Sequence, residues 1–133
     1  MTPYRAVSLE QLQNQLTAVF NDGMDGLLSF QGGLALGNRQ LIVDFAAEHR
    51  LPAIYQATLF AEAGGLMAWA PDLEEQFRMA AQYVDKILQG AKPGDLPITQ
   101  PRKYALTINA RAAQQLGLTL PPALVAQAER VLS

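Results

Sequence analysis

Six residues of this sequence could hold a small solute without transforming it: Ser29, Phe30, Gln31, Gln56, Thr58 and Trp69. They comprise two hydroxyls, two amides and two aromatic rings, which orient a ligand by hydrogen bonds and stacking. Among them there is no nucleophile paired with a base, so no catalytic residue is assigned. All six stand within or just beyond three short apolar runs, Asp25-Gly26-Leu27-Leu28-Ser29-Phe30, Leu51-Pro52-Ala53-Ile54-Tyr55 and Leu66-Met67-Ala68-Trp69-Ala70. Strands of an open parallel sheet place ligands beyond their carboxyl ends, which is where these residues would then lie. The competing reading makes Phe30 and Trp69 ordinary core side chains, since aromatic residues are often buried.

Other chemistries find less support. The 133 residues contain no cysteine, which excludes thiolate metal sites, iron–sulfur clusters, disulfides and thiol catalysis, while leaving the redox compartment open. A single histidine, His49, argues against a multi-histidine metal centre. Placed near a helix end, it suits the negative pole of the helix dipole. Gly32, Gly33 and Gly37 sit between a strand and a helix, as in a dinucleotide-binding loop, but their spacing is wrong. Gln56 also stands where an acidic residue would be required. No metal and no cofactor are therefore expected. Ten basic against twelve acidic residues give a net charge of −2, without the basic footprint of a nucleic-acid binder.

The elements that must position these residues alternate along the chain. A composition of 50% hydrophobic and 17% charged residues fits one folded domain with a core. Tyr4 to Val7 could be a short strand. Ser8 with Gln11 forms a capping box that opens a helix along Leu9, Leu12, Leu16, Val19 and Phe20, and Gly23 stops it. After the first apolar run comes a loop, 31–37, and then a helix from about Asn38 to Arg50. Thr58 to Ala63 reads as one helical turn. Asp72 with Glu75 caps the most amphipathic helix, whose stripe is Leu73, Phe77, Ala80, Val84, Ile87 and Leu88 and whose stop is Gly90. Its polar side carries Glu74, Glu75, Arg78 and Lys86, as a solvated face would.

Ala91 to Arg102 holds three prolines and a glycine and reads as an extended connector. Tyr104 to Ile108 is a further strand, Asn109 caps a short helix ended by Gly117, and Pro121-Pro122 opens a last helix carrying Leu124, Val125, Ala128, Val131 and Leu132. Strand–helix alternation of this kind predicts an α/β fold, a parallel sheet with helices on both faces. No apolar run of 18 residues is present to cross a membrane, and Met1 to Val7 has no signal-peptide pattern.

Several segments carry a family resemblance. His49-Arg50-Leu51-Pro52-Ala53-Ile54-Tyr55, Glu62-Ala63-Gly64-Gly65-Leu66-Met67, Tyr83-Val84-Asp85-Lys86-Ile87-Leu88, Gly90-Ala91-Lys92-Pro93, Asp95-Leu96-Pro97, Ile108-Asn109 and Leu116 to Pro122 follow one another in a characteristic order. They resemble the substrate-binding proteins of ABC transporters, in the group related to tryptophan- and tyrosine-type uptake components. The resemblance implies a type I periplasmic binding protein: two α/β lobes joined by three crossovers, with a solute in the cleft. It covers only the later part of such a protein. Residues 1–65 would be part of the second lobe, 66–92 a crossover strand and helix of first-lobe type, and 93–133 the return to the second lobe. The family's usual Tyr-Gly after the fourth strand is replaced by Trp69-Ala70, and a Pro-Asp-Pro type loop by Gln31-Gly32-Gly33.

Three functions follow as expectations. The first is the C-terminal portion of a solute-binding protein that takes an amino-acid-like molecule and delivers it to the membrane permease of an ABC importer. Its place would be the periplasm by resemblance, or the cytoplasm if the chain is complete without a signal peptide. The second is a stand-alone truncated lobe, self-assembling into a homodimer, with segment swapping through 66–92 as one form of it, because the helix of 72–89 has lost the lobe that would cover it. The third, an enzyme, has no supporting motif.

Overall fold

The computed structural model describes residues 1–30 and 32–133. Five strands, β1 (Leu27–Ser29), β2 (Ala53–Tyr55), β3 (Met67–Pro71), β4 (Tyr104–Asn109) and β5 (Arg130–Leu132), form one sheet in chain order. Helix α1 (Leu9–Asn21) precedes β1, and α2 (Gly33–Gly37) with α3 (Arg39–Glu48) lead to β2. α4 (Thr58–Glu62) links β2 to β3. α5 (Leu73–Leu88) and a 3-10 turn (Pro93–Asp95) separate β3 from β4, while α6 (Ala110–Gln115) and α7 (Pro122–Val125) precede β5.

The α/β class is as expected and the sheet is mostly parallel. β1–β2, β2–β3 and β4–β5 pair parallel, whereas β3 and β4 run antiparallel over five residue pairs from Met67↔Ile108 to Pro71↔Tyr104. The exception arises because the chain leaves the sheet at Pro71 and re-enters beside it at Tyr104.

Three local expectations are corrected. Tyr4 to Val7 is not a strand; Tyr4 spends its hydroxyl on the Asp22 carboxylate at 2.6 Å. Residues 33–37, read as loop, form α2. The last helix stops at Val125, and Val131 and Leu132 belong to β5, where the amide of Glu129 donates to the Leu106 carbonyl at 2.9 Å and leads the chain into pairing with β4.

The main core lies on the face of the sheet bearing Ala53, Tyr55 and Ala68. Leu16 and Val19 of α1, Ile42, Val43 and Ala46 of α3, and Phe60 and Ala61 of α4 cover it. These are the apolar positions of amphipathic helices, and burying each large side chain contributes roughly 1.5–3 kcal/mol. Tyr55 stacks on Phe60 with ring centroids 4.7 Å apart. Gly65 makes that possible, since a Cβ there would lie 2.5 Å from the Tyr55 ring and 2.8 Å from the Phe60 carbonyl oxygen.

The caps explain where the helices begin. Ser8 Oγ accepts from the Gln11 amide at 3.2 Å, while Gln11 reaches back to the amide of Val7. Asn109 accepts from the Ala112 amide and its own side-chain amide donates to the Ala61 carbonyl, tying α6 to α4. Asp72 accepts from the amides of Glu74 and Glu75. α5 differs from the other long helices in that none of its residues is buried.

Candidate functional site

The parallel strands β1 and β2 end in register, Ser29 opposite Tyr55, while β3 runs three residues beyond Ala68, the partner of Tyr55, to Pro71. The Gln56 amide continues the ladder by donating to the Ser29 carbonyl at 3.3 Å. Carried one residue further, the same register sets Phe30 and Gln56, just past the ends of β1 and β2, in one row with Trp69 in the middle of β3. Phe30 is 57% exposed and Trp69 46% exposed, so neither is a core residue. Gln56 and Thr58 are half-buried, Thr58 being the first residue of α4.

Of the six expected site residues, Phe30, Gln56 and Trp69 share this row, Ser29 and Thr58 stand one and two residues from it along the chain, and Gln31 lies outside the described residues. A seventh was missed. Tyr104, the first residue of β4, stacks nearly parallel to Trp69, with centroids 6.1 Å apart and planes 9° from parallel. Its strand alternation with Leu106 and Ile108 was visible in the sequence. Its proximity to Trp69 was not, because that depends on the antiparallel pairing with β3.

The edge also carries charge. At the point where the chain leaves for α5 and returns, Lys103 Nζ lies 2.9 Å from Asp72 and 2.9 Å from Glu129. The Lys103 amide donates to the Glu75 carboxylate at 3.0 Å, and the Asp72 amide to the Lys103 carbonyl at 3.1 Å. Glu75 thus serves the returning strand instead of closing a reciprocal box with Asp72. The hydrogen bond from Lys103 holds the Asp72 carboxyl below its ordinary value, with help from the helix amides, and Asp72 and Glu129 hold Lys103 above its own.

A cavity of about 650 Å³ opens beside β1. Met1 to Val7, one flank of α1 and the residues Leu27 to Phe30 line it. It touches Ser29 and Phe30 but not Gln56, Thr58 or Trp69, so it belongs to the outer edge of the sheet. A second, much smaller space of about 20 Å³ lies by Tyr55, lined by residues of α3 and α6. Among the described residues no three histidine or acidic side chains gather as metal ligands. His49 caps the end of α3 and packs between Phe20 and Phe45, with ring centroids 4.3 and 4.4 Å away, away from this edge.

A family profile described as ABC transporter substrate binding protein matches residues 8–132. The chain belongs to that family. The family is one of binding proteins, not enzymes. Solved structures agree on the fold. A conserved domain protein from Vibrio cholerae O1 biovar El Tor is 26% identical with a TM-score of 0.86, over 95% of this chain and 42% of its own. An ABC domain from Streptococcus pneumoniae, solved in complex with L-Trp, is 24% identical with a TM-score of 0.86, over 96% of this chain and 43% of its own. A substrate-binding protein with adhesive properties from Clostridium difficile, in a ligand-free, open structure, is 17% identical with a TM-score of 0.67. No curated protein matches the chain. This member of the family spans less than half the length of these structures. Among the described residues no helix is long and apolar enough to cross a membrane.

Proposed function

We propose that this chain supplies one wall of the solute site of an ABC-type importer's binding protein, and that the solute is amino-acid-like. The observation that carries the reading is the row across the sheet in which exposed Phe30 and Trp69 flank the polar Gln56, with Thr58 two residues beyond it, in a family defined by substrate binding. Ser29, Phe30, Gln31, Gln56, Thr58 and Trp69 are the proposed ligand-binding residues, with Tyr104 backing the Trp69 ring. The Streptococcus relative's complex with L-Trp supports an aromatic or other amino acid as the ligand class.

In this reading residues 1–65 and 93–133 build the binding lobe and 66–92 cross toward a facing lobe. Ligand bound to one wall favours the closed arrangement of two lobes, and a membrane permease selects the closed form outside the cytoplasm. The Lys103 clamp fixes where the crossing segments leave the sheet. The test is a thermal-shift screen of the chain against single amino acids. A ligand at 100 times its Kd should stabilise by about 2.7 kcal/mol, and the shift should vanish in Trp69→Ala and Gln56→Ala. An unchanged melting temperature with every amino acid would count against the reading.

A second reading rests on α5. Its apolar stripe is exposed along its length, which supports a self-associating module, a homodimer built through 66–92.

A further inference from the structure

We propose that the cavity beside β1 is a slot for one more strand, an extended apolar segment that pairs parallel to β1 and belongs to the part of the binding protein beyond this chain. The inference goes beyond the solute wall and does not use it. Leu27 donates its amide to the Pro52 carbonyl, and the Ser29 carbonyl accepts from the Gln56 amide. Both residues thus turn their main-chain groups toward β2. Such groups alternate sides along a parallel strand, so Leu28 presents its amide and carbonyl to the opposite edge. That edge has no neighbouring strand among the described residues, since β1 is first in the sheet order and pairs with β2 alone. The residues of β1 are nevertheless those of a sheet interior. Leu27 packs against the core while Leu28 and Phe30 lie on the other face, an apolar run on both sides of the strand.

The cavity has the dimensions of such an element. Neighbouring strands lie about 4.8 Å apart and packed layers about 10 Å, so about 650 Å³ holds roughly 13 Å of strand, or about four residues. Its walls state what fits. Leu12, Leu16 and Val19 of α1 and Ile42 of α3 line it, so the occupant's side chains on that side are apolar. Met1 to Val7 line it as well, tied to the end of α1 through Tyr4 and Asp22. With that segment and β1 both on its walls, the cavity admits a single strand and not the sheet edge of a second copy. Direction follows from the sheet. β1, β2 and β3 are parallel with their helices over the core face, and a strand added beside β1 continues that pattern by running the same way. Origin follows from length. This chain corresponds to 42% and 43% of two solved relatives of the same fold, which leaves more than half of such a protein to supply the strand. The buried cluster around Tyr55 and Phe60 already stands without it.

The test uses the whole chain and a short peptide, acetyl-Lys-Val-Ile-Val-Val-Lys-amide, whose lysines keep the apolar run in solution. Amide hydrogen exchange of the protein is followed by NMR at millimolar peptide. The Leu28 amide should exchange about tenfold more slowly with the peptide present, while the Leu27 amide, already bonded to Pro52, should not change. A fully N-methylated peptide, which has no donors, should give no protection. A nitroxide in place of the acetyl group should broaden Gly26 and Leu27 more than Phe30, as a parallel strand requires. An unchanged Leu28 amide would overturn the proposal. Equal protection at Arg130 of β5, the other edge of the sheet, would show indiscriminate strand pairing and overturn it too. Broadening strongest at Phe30 would make the occupant antiparallel and contradict the proposal. The same protection from octanoate would make the cavity a pocket for small apolar molecules instead. None of these outcomes bears on solute binding, so the slot and the wall stand or fall separately.

Discussion

Phe60 and Phe77 each sit on a helix that directly follows a strand of the same sheet, yet Phe60 is 1% exposed and Phe77 73%. Around Phe60 the fold is held by burial: α1, α3 and α4 close over Tyr55, and at Gly65 there is no room for a Cβ. Around Phe77 it is held by polar ties. Asp72 and Glu75 anchor the start of α5 to Lys103, Tyr83 fastens its later turns to the connector, and the apolar face is exposed among the described residues. The difference teaches that the sheet half is organised to stand by itself and α5 to be covered by something else. In the proposed reading that division also separates the wall of the solute site from the segment that reaches away from it.

The largest effects should separate the two regions. Phe60→Ala removes a fully buried ring stacked on Tyr55 and should cost about 3–5 kcal/mol in urea unfolding. Phe77→Ala should leave the unfolding free energy of the dilute protein within about 0.5 kcal/mol of the starting value. Equal losses at both positions would erase the comparison. Next in size is Gly65→Ala, whose new methyl meets the Tyr55 ring and the Phe60 carbonyl. We expect roughly 1–3 kcal/mol of destabilisation, read as a fall in the urea midpoint.

Tyr55→Phe should be smaller and of opposite sign. The Tyr55 hydroxyl is buried without a hydrogen-bond partner among the described residues, and burial pushes its pKa up. Its removal should be neutral or stabilise by up to about 1 kcal/mol. A loss larger than that would reveal a partner for the hydroxyl in solution.

The smallest effect on global stability concerns the α5 anchor. Asp72 is held below its ordinary 3.8, so its contribution is complete above that value and is lost as the pH falls through the depressed one. Lys103 is held above its ordinary 10.5, so its contribution is complete below 10.5 and is lost as the pH rises through the raised value. Amide protection at the start of α5 should therefore be flat between those limits and fall at both extremes, with the sheet half unchanged. Asp72→Ala should remove the acid limb, as followed by NMR of residues 73–77.

Much of this organisation was legible in the residues. Ser8, Asp72 and Asn109 marked helix starts because capping depends on neighbours three residues away, and Gly23 marked a stop for the same local reason. The chain-end strand was not legible, because Val131 and Leu132 fit the helical spacing of Leu124 and Ala128 equally well; pairing with β4 decided the matter. Tyr4 to Val7 has strand-forming residues, but strand structure depends on a neighbouring ladder, and Tyr4 is instead tied through its side chain to Asp22 beyond the end of α1. At the site, Ser29, Gln56 and Thr58 could be found as polar residues ending apolar runs. Tyr104 could not, since it joins Trp69 only through a reversal of direction spanning the whole of α5.

Trp69 is the only tryptophan in the chain, and its half-exposed ring makes its fluorescence a local reporter of the proposed wall. The decisive measurement is a titration of the chain with non-fluorescent amino acids followed by Trp69 emission, with L-Trp followed by calorimetry. One wall should bind weakly, with Kd near 1 mM or about −4 kcal/mol, giving a saturable change for at least one amino acid that Gln56→Ala abolishes. No saturable signal for any amino acid up to about 10 mM, with the fold intact, would contradict the assignment of this edge as a solute-binding wall.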